Sequence, residues 1–394
     1  MKKILSVFLT GAIMLSMFGC SSQKVEEQHP SESSVSQSNE ASKEKEKSES
    51  EKEDLPVLSV SWGNEMHTGI LNLPFIAPEL FEKGEVRIEP MGDGQGKLIS
   101  DDKAVAVLKR VITKGGSECA TLMSQKHLDV AFTSSTAMMT AYDVGTEVQI
   151  LCPIQCDGVA IAAVKDAPFN TFEELVAYAK ESEQPVKAGY HSAISSPRIV
   201  LESALKDAGL NVTEDPSNFD ADILMVDLKG VQNLVSSLSS KQVEVWAGPA
   251  PHPQNAESTG VGKIISTLNQ IPGGKWENFP CCALAARKEI IDNHPEAMQA
   301  LVKLSTEVAE YANNNQEKTG ELLSELVGVE KDILPKSLIV YSTNPDEKFT
   351  NGIAIYYDAM KQMNKFSGRL LENSFDEAQK EFFNFTYAKQ LHSK

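Results

Sequence analysis

The chain has 394 residues, a formal net charge of −18 and 41% hydrophobic residues. That acidity excludes a phosphate-neutralising nucleic-acid face and argues against electrostatic adhesion to anionic lipid. The length and apolar content are enough for two packed domains beyond the N-terminal segments.

Met1-Lys2-Lys3 precede an apolar run over residues 4–18, which ends at Gly19-Cys20. A charged start followed by a run shorter than the roughly 20 residues of a membrane span has the layout of a secretory signal. A cysteine directly after a small residue at the end of such a run resembles a bacterial lipobox, although Met17 and Phe18 stand where leucine and a smaller residue are more usual. The resemblance implies removal of residues 1–19 and lipidation of Cys20. That would put the protein on the extracytoplasmic face of the cell membrane, held by its lipid anchor. Residues 20–54 are mostly Ser, Glu, Lys, Gln and Asn with no aromatic residue. Such a segment cannot bury enough apolar surface to offset chain entropy and is expected to be a disordered tether.

From residue 55 the pattern changes. Alternation predicts a strand over 57–61, a polar loop over 62–68 and a proline-interrupted helix over 70–81. A strand follows over 86–91, a helix over 101–113, and strands over 129–132 and 148–151. The pattern then restarts. Residues 158–165 read as a strand, and 171–180 as a helix opened by a Thr171/Glu174 capping box. A strand over 186–190 leads to Ser195-Ser196-Pro197, a helix start with proline in its first turn. Strands over 223–228, 243–247 and 263–268 complete the second block. After a last strand over 280–287, helices are predicted over 295–312, 317–326, 353–365 and 375–391. Strands alternating with helices argue for an α/β protein with parallel sheets.

This order of blocks resembles the type II periplasmic-binding-protein fold. It is most similar to the substrate-binding lipoproteins of the nitrate/sulfonate/taurine ABC transporter family, which includes thiamin-pyrimidine binders. The resemblance rests on Asp129-Val130-Ala131-Phe132-Thr133-Ser134-Ser135, Asp157-Gly158-Val159-Ala160-Ile161, Tyr190-His191-Ser192-Ala193-Ile194-Ser195-Ser196, Val245-Trp246-Ala247-Gly248-Pro249 and His294-Pro295-Glu296-Ala297. It implies two lobes, one from 55–151 with 281–394 and one from 158–271. They would be joined by hinge crossings at 152–157 and 272–280. It also implies a monomer that captures a small molecule between the lobes and presents it to an ABC permease and its ATPase subunits. No cofactor and no catalysis are expected. The rival readings are an enzyme on the same fold, built on His67 with Glu65 or on Cys282 with a histidine, and a ligand-sensing subunit for a membrane receptor.

In open parallel sheets ligands meet the loops at the carboxyl ends of strands. That rule selects Trp62, Gly63, Asn64 and His67 after the first strand, Ser134 and Ser135 after the third, His191, Ser192, Ser195 and Ser196 in the second block, and His252. Asp157, at the entry to the second block, joins them. Each serine also reads as a simple helix cap. His67, His191 and His252 could bind a metal, stack on a ring or donate to an anion. The flat aromatic and imidazole groups favour a heterocycle, and the serines suit a sulfonate-like anion equally. Cys156, Cys281 and Cys282 flank the proposed crossings. They could be buried thiols, a disulfide from Cys156 to Cys281 or Cys282, or ligands to a soft metal alongside the histidines.

Overall fold

The alternation in Val57-Leu58-Ser59-Val60-Ser61 buries Leu58 and Val60, and this strand becomes an inner member of an eight-stranded sheet. The structure, a computed structural model, describes residues 55–328 and 330–393. The expected signal segment 1–19, the expected lipidation site Cys20 and the expected tether 20–54 lie outside the described residues.

In chain order, β1 (Val57–Ser61), β2 (Val86–Gly92), β3 (Gln95–Ser100), β4 (Lys103–Arg110), β5 (Val130–Ser134) and β6 (Val148–Cys156) belong to the first sheet. A second, six-stranded sheet contains β7 (Val159–Val164), β8 (Val186–Tyr190), β9 (Val212–Thr213), β10 (Ile223–Asp227), β11 (Val245–Pro249) and β12 (Gly262–Thr267). The chain then returns to the first sheet as β13 (Pro280–Arg287) and β14 (Val340–Tyr341). The spatial orders are β14-β6-β13-β5-β1-β4-β3-β2 and β12-β7-β11-β8-β10-β9. The chain therefore passes between sheets twice, at residues 157–158 and across 268–279.

Both sheets are mixed rather than purely parallel. β1 runs parallel to β4 and β5, and β8 parallel to β10 and β11, whereas β13 is antiparallel to β5 and β6. The main departure from the sequence reading is residues 101–113, expected as a helix and found as β4. Asp101 and Asp102 both have positive φ, 48° and 62°, the signature of a two-residue hairpin turn. That turn folds β4 antiparallel onto β3. Ala106 and Leu108 then point into the core, and Val107 on the other face is half-buried.

The helices Pro295–Asn314 and Glu347–Gln362 pack against strands of the first sheet, the latter also touching helix Ser196–Asp207 of the second block. The helix expected over 375–391 breaks in two. Phe383 adopts an extended backbone, and the Asn384 N–H donates to the Ile150 carbonyl at 2.9 Å on the edge of β6. The return passage is anchored by an aromatic chain, Trp276 to Phe279 to Tyr356, with 4.7 Å between successive ring centroids. Such edge contacts add about 0.5–1.5 kcal/mol each beyond area burial. The Tyr356 hydroxyl donates to the Pro280 carbonyl at 2.9 Å.

Candidate functional site

The carboxyl ends of six parallel strands, β1, β4 and β5 from one sheet and β8, β10 and β11 from the other, meet at one cavity of about 560 Å³. That volume suits a small organic molecule. Loops from the two sheets touch across it. The Ser117 and Ser192 hydroxyls are 2.6 Å apart, the Thr136 hydroxyl donates to the Ile194 carbonyl at 2.6 Å, and the Met66 N–H donates to the Ala250 carbonyl at 3.0 Å.

Of the residues expected from sequence, Trp62, Gly63, Asn64, His67, Ser134, His191, Ser195 and His252 line the cavity. Ser135, Asp157, Ser192 and Ser196 do not, each for a local reason. Ser135 lies in the first turn of helix Ser135–Asp143 and is fully buried. Ser192 spends its hydroxyl on Ser117. Ser196 is fully buried, and its hydroxyl donates to the Cys281 carbonyl at 3.4 Å. Asp157 stitches the two passages together. Its N–H donates to the Phe279 carbonyl at 2.9 Å, and its carboxylate accepts from the Phe279 N–H at 3.2 Å. Burial pushes that carboxyl up to about 6 against the opposing pull of the Phe279 N–H.

The loop after β1 is held from within. The Trp62 indole donates to Asn72 Oδ1 at 2.9 Å, and the Arg110 guanidinium lies 4.9 Å from the Trp62 ring centroid. Arg110 also donates to the carbonyls of Trp62 and Gly63 and to Asn64 Oδ1. Glu65 accepts from the Thr68 hydroxyl at 2.7 Å and caps the Thr68 N–H. Glu65 is therefore committed to Thr68, and the Glu65–His67 pair weighed for an enzyme is not formed.

His67 is buried between the crossing and β13. Its Nε2 lies 3.0 Å from the Gly158 carbonyl and must donate, since a carbonyl only accepts. Its Nδ1 then faces Cys281 Sγ at 3.4 Å, and Cys282 Sγ lies 3.8 Å from Cys281 Sγ. The Cys282 thiol donating to it, with His67 beside it, holds Cys281 well below the usual thiol range and drives Cys282 well above it. Burial opposes a charged His67 ring, but Cys281, Glu65 and the Gly158 carbonyl outweigh it and raise its value.

The other cysteines are separate. Cys156, half-buried, donates toward the Val340 carbonyl at 3.7 Å, and burial pushes its thiol up to about 12. The proposed bridge from Cys156 to Cys281 or Cys282 is absent: all five described cysteines are free. Register explains this, since Cys156 pairs with Pro280 and its thiol turns toward β14, whereas Cys281 turns toward His67. Of the six metal candidates, only His67, Cys281 and Cys282 cluster, with ligand atoms within 4.8 Å of one another. Burial among the cleft walls lowers His191 to about 3 and His252 to about 4, so both rings are neutral near pH 7.

Two polar atoms on the cavity wall have no partner among the described residues, Ser134 Oγ from the first sheet and His191 Nδ1 from the second. Three helices, Gly116–Ser124, Ser135–Asp143 and Ser196–Asp207, begin at the cavity without a side-chain cap bond, turning positive helix ends toward it. Lining residues that the sequence reading missed include Thr113, Lys114, Gly115 and Glu118 after β4, and Gln232 after β10. The strand-end rule would have found the first group had β4 been read as a strand.

The family model described as NMT1-like matches residues 101–327, more than half of the chain. The chain belongs to the NMT1-like family. No curated protein matches it in sequence. Among solved structures, this NMT1-like protein is similar to the zinc-bound ligand-binding component of an ABC-type import system from Staphylococcus aureus, at 15% identity. The TM-score is 0.63, with 86% of this chain and 100% of that one covered. It is similar to the periplasmic nitrate-binding protein NrtA from Synechocystis at 14% identity, with TM-score 0.62 and coverage of 86% and 89%. It is also similar to the alkanesulfonate-binding protein SsuA from Xanthomonas axonopodis, bound to MOPS, at 11% identity, with TM-score 0.58 and coverage of 79% and 94%. At these identities the likeness shows the fold, which is the periplasmic-binding-protein α/β fold that the sequence resemblance implied.

Proposed function

We propose that this NMT1-like protein is an extracytoplasmic solute-binding lipoprotein of an ABC importer, anchored through Cys20 and acting as a monomer. It captures a small organic molecule, a heterocycle or a sulfonate-like anion, and presents it to the permease and its ATPase subunits without covalent chemistry. Ser134 Oγ and His191 Nδ1 carry this reading. They are unpartnered polar atoms from opposite sheets facing one cavity, and a buried polar group left unpaired costs about 1–3 kcal/mol unless a guest satisfies it. The uncapped helix starts favour an anionic end, and Trp62 and Phe132 offer aromatic surface for a ring.

The first sheet with its helices is read as one lobe (55–151 and 281–394), and the second as the other (158–271). The crossings at 152–157 and 272–280 serve as the hinge. A solute that touches both lobes only when they are closed supplies the free energy of closing. Native mass spectrometry of the purified protein tests the reading. A co-purifying small molecule is expected, bound at one equivalent and lost in a Ser134→Ala, His191→Ala double variant. A guest retained with unchanged affinity by that variant would place the binding site elsewhere.

A further inference from the structure

We propose that His67, Cys281 and Cys282 hold a thiophilic divalent cation whose fourth coordination position opens into the cleft, so that the solute completes the metal's shell. The last clause rests on the cleft being the solute site; the metal site itself does not. Successive residues of a regular strand point to opposite faces. Here the register of β13 against β6 shifts between Pro280 and Cys282, and this irregularity lets both thiols approach the same histidine.

Two of the three spacings match a tetrahedral site. With Zn–S near 2.3 Å and Zn–N near 2.0–2.1 Å, the S–S edge is about 3.8 Å and the S–N edge about 3.5 Å. The observed edges are 3.8 Å between the two sulfurs and 3.4 Å from Cys281 Sγ to His67 Nδ1. The third edge lies within 4.8 Å and closes with a side-chain adjustment of about 1 Å. Histidine orientation agrees as well. Nε2–H donates to the Gly158 carbonyl, which leaves the Nδ1 lone pair aimed at the thiols, the outer-shell arrangement that metal-binding histidines use.

Charge selects the ion class. All three residues are at most 6% exposed, and a net charge there would be costly. Two thiolates and a neutral imidazole are neutralised by a dication, and binding releases two protons to solvent, one from Cys282 and one from the Cys281–His67 pair. All three residues also line the cavity, so the open position faces the same space as Ser134 and His191. A solute bearing a carboxylate, a ring nitrogen or a sulfur donor can fill it.

The test uses protein purified under reducing conditions and stripped with a chelator. Titration with Co(II) as a spectroscopic stand-in is expected to give one equivalent bound, a thiolate-to-metal charge-transfer band and tetrahedral ligand-field bands. Zn(II), titrated against a chromophoric chelator, should bind with release of two protons. Cys281→Ser, Cys282→Ser and His67→Gln should each weaken Zn(II) binding by more than the roughly 10–100-fold that an outer-shell change costs. Cys156→Ser, whose thiol faces Val340, should leave Zn(II) affinity unchanged. Apo melting curves establish that each variant folds. Should one fail, the Co(II) bands of the unaltered protein and the remaining variants decide. Absence of the charge-transfer band, or affinity indifferent to the ligand substitutions, overturns the metal site. Solute captured equally well by stripped protein overturns the fourth-position link and leaves the cleft reading intact. Stoichiometric metal with no solute in the cleft overturns the cleft reading and the fourth-position link that rests on it, and leaves the metal site standing.

Discussion

Gly158 is the residue on which the first passage and the site both turn, and Gly158→Ala is predicted to damage both. Its φ is +73°, in the left-handed region, and an added Cβ would overlap Ile339 Cγ1 and stand 3.0 Å from His67 Nε2. The backbone part costs about 1–2 kcal/mol for a residue with a Cβ. Forcing a methyl into a filled site costs a further 1–3 kcal/mol or so. Ile339 is buried and His67 is held at both ring nitrogens, so neither yields freely. The sum is a loss of about 2–5 kcal/mol. Urea unfolding followed by far-ultraviolet circular dichroism measures it as a lower midpoint at unchanged slope. Ile339→Ala alone should cost about 2–5 kcal/mol as a cavity, and the double variant should lose about 1–3 kcal/mol less than the sum of the singles, because the clash is removed. A Gly158→Ala loss under about 1 kcal/mol, or strict additivity with Ile339→Ala, would refute the crowding argument.

Four further outcomes are expected. Ser134→Ala removes an unpartnered hydroxyl, so apo stability should hold or rise while solute affinity falls about 2–10-fold in calorimetry; an apo loss above about 1 kcal/mol would contradict this. Asp157, raised to about 6 by burial, contributes stability that is complete below its ordinary value near 3.8 and lost as pH rises through about 6. Asp157→Asn should therefore be more stable at pH 7–8, by at most about 3 kcal/mol, with the gap closing below pH 4; a pH-independent difference would be inconsistent with this. Arg198 is buried against Tyr190 and pairs with Glu202 and Glu214, yet Glu202 keeps Lys206 and Glu214 keeps Lys365. Arg198→Met should then cost about 2–3 kcal/mol in urea unfolding, below the usual cost of orphaning a buried charge, and a loss of 5 or more would mean those second partners do not compensate. Cys20→Ala should release the protein into the medium or leave an unprocessed precursor, and normal processing with membrane retention on fractionation would reject lipidation.

The inner strands were legible because burial on both faces writes near-continuous apolar runs, as in Val130-Ala131-Phe132 and Val159-Ala160-Ile161-Ala162. Residues 103–110 were not. Their Ala, Lys and Leu content favours helix intrinsically, and the decision lay in two aspartates holding a left-handed turn and in the open edge of β1 waiting to be paired. Misreading that strand also hid the loop that follows it, from Ile112 to Gly116. The serines at 134, 135, 195 and 196 were visible as helix starts. Which hydroxyl reaches the cavity depends on how packing rotates the first turn, and periodicity does not carry that. His67 and Cys281 are 214 residues apart, so their pairing belongs to the tertiary fold alone.

The two passages leave the first sheet side by side, from the paired residues Cys156 and Pro280, and Asp157 and Phe279 lash them together. In the hinge motion proposed above, the pivot of one sheet against the other would lie there, and Cys281 is the very next residue after Pro280 along the strand. On that proposal, whatever is gripped at that point would move least, whereas loops that no passage joins, such as those bearing Ser117 and Ser192, would part and re-engage with each closure. The proposed motion would then accommodate changes of guest at the travelling loops, while substitutions beside the pivot would alter the stroke itself.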